Sequence, residues 1–265
     1  MLATTLTVVM LAAAPVGPPT LCHPFEIDGA SSLPWGTGAF APLADYDIAQ
    51  LPGDTYRILS RSDDPLVHGE TLRRAVLYLT RGSEDRPAPA AAQRDLLIDA
   101  LQQELLFDAK VHEPEACAAR EGRKAAPGGT RQWWNPVEPW GGRMCQAQTR
   151  DAALCFLDLG YLRAALREAG VPDKDDGSAA LHDALRLKPA DSALRLVAAL
   201  GLLDHPDATL RTEAWVQLDA LASLPDDGEA GEHLRRNLLA TVGPILNAKN
   251  HDDLVARIHD QLAKS

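Results

Sequence analysis

Residues 191–221, DSALRLVAALGLLDHPDATLRTEAWVQLDAL, carry the reading on which the fold rests. Leu194, Val197, Ala198, Gly201 and Leu202 recur at short intervals, the spacing that lines one face of an α-helix. His205 and Pro206 interrupt that helix near Asp204, because proline lacks an amide donor and drives the preceding residue out of helical dihedrals. Asp207 stands at the N-cap of a second helix. There its carboxylate accepts from otherwise unpaired first-turn amides, and its charge suits the positive helix end. Leu210, Ala214, Leu218 and Leu221 then form one stripe, and the small Ala214 lets the backbones approach. So short a connection between two amphipathic helices predicts an αα-hairpin, and a lone hairpin leaves apolar surface that other helices must cover.

The run from Leu203 through Asp204-His205-Pro206-Asp207 to Arg211 and Ala214, continuing to Leu218 and Leu221, resembles the inter-helix turn and second helix of a HEAT-type repeat. The resemblance implies that Asp204 and Arg211 bridge successive turns. Gln217, where the pattern prefers alanine, and the bulky Trp215 depart from it. Just upstream, Ala184 to Asp191 is similar to the end of a tetratricopeptide unit. Both families stack helical hairpins, so both resemblances imply one architecture.

Outward from this stretch the chain reads as further helices. Thr71 to Arg81 places Leu72, Ala75, Val76 and Leu79 on one face, with Gly82 as a stop. After the Pro/Ala tract 86–92, Leu97, Ile98, Leu101 and Leu105 mark a second helix, and the two together suggest another hairpin. From Thr149 to Gly170 apolar residues occupy most of a helix circumference, which predicts a central, buried position. Ser178 to Leu187 is the next helix. Ala230 to Leu246, bent or ended near Pro244, and Asp252 to Ala263, capped by Asn250, form a closing pair.

Two stretches break this pattern. Residues 21–64 are rich in Pro, Gly, Ser and Asp without a sustained period and read as an extended lead-in, with Trp35 as an anchor between helices. Residues 108–148 lose the helical period and carry Trp133, Trp134 and Trp140 among prolines and glycines. An insertion of that length is functional or disordered, and three tryptophans argue against pure disorder. These three are the candidate binding residues, presenting flat amphipathic surfaces to a peptide or sugar; the competing reading has them fold back over the helices.

Composition bounds the rest. The 265 residues are 46% hydrophobic and 24% charged, enough for a sizeable core, and only 5% aromatic. Alanine and leucine dominate, which favours helix over sheet. A net charge of −11 argues against a nucleic-acid partner and against adsorption to anionic membranes. Residues 2–16 are apolar, too short to span a bilayer yet suited to a secretory signal, although no Lys or Arg precedes them and Pro15 follows the small-residue site Ala12-Ala13-Ala14.

Chemistry-bearing motifs are few. Cys22, Cys117, Cys145 and Cys155 permit two disulfides in an oxidising compartment, in three pairings that spacing does not separate, with Cys155 equally suited to a buried thiol. There is no Cys-x-x-Cys, no nucleophile elbow and no phosphate-cradling glycine loop. Asp173 to Gly177 fails the calcium-loop template, because Pro172 and Lys174 fall on ligand positions. His182-Asp183 and His259-Asp260 are helix neighbours whose side chains diverge. No metal site, cofactor or catalytic residue is therefore assigned.

The sequence thus predicts an all-α chain of irregular antiparallel hairpins: a signal over 1–20, a lead-in over 21–64 and a helical domain over 65–265 interrupted at 108–148. The expected function is that of an exported, non-catalytic protein-interaction or scaffold module, without membrane insertion once the signal is removed. The alternative is a hydrolase of cell-surface glycan or peptide.

Overall fold

A computed structural model describes residues 19–83, 86–111, 150–173, 175–225 and 228–264. They form eleven α-helices and one two-stranded ladder of β1 (Gly82–Ser83) with β2 (Arg86–Pro87), so the all-α expectation holds. The helices are α1 (Pro19–Cys22), α2 (Leu51–Leu59), α3 (Pro65–Thr80), α4 (Ala91–Val111), α5 (Ala152–Glu168) and α6 (Ser178–Leu187). They continue with α7 (Ser192–Leu203), α8 (Ala208–Ala222), α9 (Gly228–Thr241), α10 (Gly243–Leu246) and α11 (His251–Leu262).

The 191–221 stretch folds as read. Asp191 caps α7 by accepting from the Leu194 amide at 3.0 Å, and Asp207 caps α8 by accepting from Thr209 at 2.8 Å. The two helices pack along their length, and Ala214 and Leu218 are wholly buried between them. Arg211 does not reach Asp204. Its guanidinium donates to the carbonyls of His205 and Pro206 at 2.6 and 2.8 Å, tying one turn to itself.

Helix α5 is the centre. It packs against α1, α3, α4, α6 and α7, as its all-round apolar circumference requires. The contact with α6 depends on glycine: a Cβ on Gly160 would stand 2.9 Å from the Gly177 carbonyl oxygen and 2.7 Å from Leu181 Cγ. Gly177 itself has φ +82°, a conformation that L side chains rarely adopt.

The N-terminal region departs from its reading. Residues 23–47 are loop as read, but 21–64 are not extended throughout: α1 reaches Cys22, a 3-10 turn runs over Ile48–Gln50 and α2 follows. Tertiary burial overrides the Pro/Gly composition here, because Leu51, Tyr56 and Leu59 pack into the core and Pro52 sits in the first turn, where a missing amide costs nothing. The next helix starts at Pro65 rather than Thr71, capped by Asp64 at 2.9 Å from the Leu66 amide. Its expected hairpin with α4 is a minor contact, since α4 packs mainly on α2 and α5.

Leu21, Phe25 and Leu33 bury 21–46 in the core, and polar contacts fix it to the helices. Glu70, buried on α3, accepts from Arg73 through both oxygens at 2.7 and 2.9 Å and from Arg74 at 2.7 Å. The two guanidiniums pass on to the carbonyls of Leu21, Ala39 and Leu33. Trp35 is the anchor expected of it: both guanidiniums lie over its ring, at 5.6 and 5.5 Å, and Tyr78 meets it edge-on. Farther along the chain, Asn237 on α9 exchanges two hydrogen bonds with the backbone of Glu26, at 2.8 and 3.1 Å. Thus the first and last parts of the described chain are stitched together.

Candidate functional site

One convergence of ionisable groups stands out among the described residues. It joins Tyr56 of α2, His68 of α3, Asp108 in the last turn of α4, Arg150 just before α5, and Asp158 within α5. Arg150 lies beside the N-cap residue Asp151, whose carboxylate accepts from the Ala153 amide at 2.9 Å and so sets where α5 begins. His68 and Asp158 are 0% exposed and Asp108 1%, with the Arg150 side chain at 7%.

Arg150 bridges the two carboxylates, donating to Asp108 Oδ2 and to Asp158 Oδ2, each at 2.5 Å. His68 Nδ1 lies 2.6 Å from Asp158 Oδ1, and its Nε2 lies 2.9 Å from the Ser62 carbonyl oxygen. Both neighbours are acceptors, so both ring nitrogens must donate and the ring is an imidazolium. Tyr56 closes the set, its hydroxyl donating to Asp108 at 3.4 Å while its ring faces the Arg150 guanidinium at 5.8 Å. Two cations face two anions, the balance that lets charge lie buried.

The proton affinities follow this geometry. Burial works against the His68 charge, but Asp158 against Nδ1 outweighs it and lifts the imidazole above its ordinary range. Burial likewise opposes the Arg150 charge, and Asp158 and Asp108 together hold that group firmly protonated. Burial keeps the Asp108 carboxyl raised even with Arg150 against it. Cys155, one turn before Asp158, is buried, and its thiol is pushed up to about 12, so it is no thiolate at neutral pH. An imidazolium without a free lone pair is no general base, and a protonated thiol is a poor nucleophile. The arrangement is a clamp. Asp108 and Arg150 stand 42 positions apart, so their ion pair ties the last turn of α4 to the start of α5.

Trp133, Trp134 and Trp140 lie outside the described residues, as do Cys117 and Cys145. Cys22 and Cys155 are both free thiols. The His-Asp neighbours diverge as expected: His182 pairs with Glu213 at 3.1 Å while Asp183 pairs with Arg186, and His259 pairs with Asp219 at 2.7 Å. Just before α6, Asp176 accepts from the Ser178 amide at 2.9 Å and from His205 at 2.8 Å; burial would raise its carboxyl, but these bonds bring it down to about 2. Among the described residues no group of three or more His, Cys, Asp or Glu could hold a metal, and no helix is long and apolar enough to cross a membrane.

None of the clamp residues is singled out by motif or spacing. A signal was nevertheless present: Asp158 interrupts the apolar run Leu157 to Leu159, and His68 follows the buried Val67. A polar residue inside a buried stripe demands a partner, although sequence does not say which. No protein-family model matches the chain, and no curated protein and no solved structure matches it either.

Proposed function

We propose that this chain is an exported helical scaffold that holds a protein partner and performs no chemistry of its own. The observation that supports this reading is the clamp, the natural place to look for acid, base or nucleophile, where every group is spoken for. Enzymes instead keep titratable groups poised at an open cleft. The apolar segment over residues 2–16 supports export.

The test is crosslinking and affinity capture of the full chain from its own cell envelope, alongside an assay of the purified protein on envelope glycan and peptide. One stoichiometric partner with no product released is the expected result. Release of glycan or peptide fragments that vanishes in His68→Gln would replace the scaffold reading with a hydrolase.

A further inference from the structure

Helix α1 is a single turn, yet it is built into the core. Pro19, Thr20 and Leu21 are buried, Thr20 at 1% and Leu21 at 3% exposed, and the turn packs against α3, α5 and α7. Each polar group of Thr20 is taken up by α5. Its amide donates to Glu168 Oε2 at 3.0 Å, its hydroxyl donates to the same oxygen at 2.5 Å, and its carbonyl accepts from the Tyr161 hydroxyl at 3.1 Å. From α3, the Arg73 guanidinium donates to the Leu21 carbonyl at 3.1 Å.

The partners depend on α1 in turn. Tyr161 and Arg73 are wholly buried, and Glu168 Oε1 has no partner among the described residues, so that carboxyl relies on Thr20. Without Thr20 the Tyr161 hydroxyl loses its acceptor and the Glu168 carboxyl loses both donors, and polar groups left unpaired inside a fold are destabilising. An export signal ending at residue 20 would end inside this turn. Export handles a chain before it folds, so burial does not shield α1 from a peptidase; it makes α1 necessary to the fold that forms afterwards.

We infer that processing stops short of α1: an envelope signal peptidase cuts one bond between Ala12 and Pro15, and the finished protein keeps Pro19 to Cys22 as part of its core. The step is hydrolysis of a peptide bond, with water supplying the hydroxyl of the new carboxyl group and the proton of the new amine. The run Ala12-Ala13-Ala14 supplies the small residues that such an enzyme reads. Gly17, the next small residue, has Pro15 two positions before it and Pro18 directly after it. This inference rests on the export reading and moves the end of the signal upstream of residue 20.

The test is N-terminal sequencing and intact mass of the full chain, tagged at its C-terminus and recovered from its own cell envelope. A first residue from Ala13 to Pro15 is expected; any later one overturns the inference while leaving export standing. Recovery of intact chain from the cytoplasm alone would end the export reading and the cut with it. Melting then decides the place of α1 separately. A chain beginning at Pro15 should melt within about 1 °C of the full chain, and one beginning at Leu21 about 4 °C lower or more. The full-length variant Thr20→Val, which loses the hydroxyl alone, should melt about 2–4 °C lower. Equal melting of the two shortened chains, or no change in Thr20→Val, would overturn the claim that α1 belongs to the core.

Discussion

The two ends of this molecule are held by different physics. From residue 192 onward the helices meet through leucine and alanine stripes, and the buried polar side chains there are His205, Asn237 and Thr241. Between residues 20 and 108, and again at 158, the core takes in Thr20, Thr55, His68, Glu70, Thr71, Arg73, Asp108 and Asp158. Apolar contact has no direction and tolerates small shifts, whereas a buried charge is stabilising only when its partner stands at the right distance and angle. The C-terminal hairpins are accordingly a matter of periodicity, and the N-terminal part adds to its own apolar core a precise pairing across long stretches of chain.

The sharpest way to break that contrast is Arg150→Met. It strands Asp108 without a cation and leaves Asp158 to His68 alone, and breaking a buried pair costs about 3–5 kcal/mol. Chemical denaturation of the variant should show a loss of that size; a loss under about 1 kcal/mol would mean that the clamp is not what holds the N-terminal helices. Leu218→Ala tests the other side. It opens a cavity between α7 and α8 for about 2–4 kcal/mol, and that loss should be the same at every pH from 5 to 8, since no titrating group is removed.

The smallest effect concerns Glu168 at the end of α5. Its Oε2 accepts from the Thr20 amide at 3.0 Å and from the Thr20 hydroxyl at 2.5 Å, while Oε1 is buried without a partner among the described residues. Burial raises this carboxyl from 4.5 to about 8. A carboxyl with a raised pKa contributes stability that is complete below about 4.5 and is lost as pH climbs to about 8. His68 shifts in the same direction, so its contribution is complete below 6.5 and is lost as pH rises through its elevated value. Between pH 4.5 and 6.5 the Glu168 carboxyl is ionised in the unfolded chain and still protonated in the folded one, so Glu168→Gln should flatten the fall in melting temperature there, by about 2–4 °C for each 1 kcal/mol of linkage in a chain of this size. An unchanged slope would place the pH sensitivity elsewhere.

How much could be read in advance follows the same division. The α7–α8 hairpin, the caps Asp207 and Asn250, the stop at Gly170 and the break near Pro244 were legible because each depends on residues within a turn or two of one another. Helix α2 was hidden by its proline and glycine, although Pro52 in a first turn is a permitted start. The α3–α4 pairing was misjudged because a short connection suggests neighbours, while α5, reached only 41 positions after Val111, offered the larger apolar face.

The sequence by itself determined the helices and their buried stripes, since hydrogen bonds over four residues and side chains recurring every three or four are local properties of the chain. Only the tertiary structure decided that His68 meets Asp158 across 90 positions and Arg150 meets Asp108 across 42, and that Glu70 with its arginines binds the 21–46 segment. Sequence spacing says nothing of such pairs. Their partners are chosen by the packing of whole helices, which is the sum of every apolar face at once.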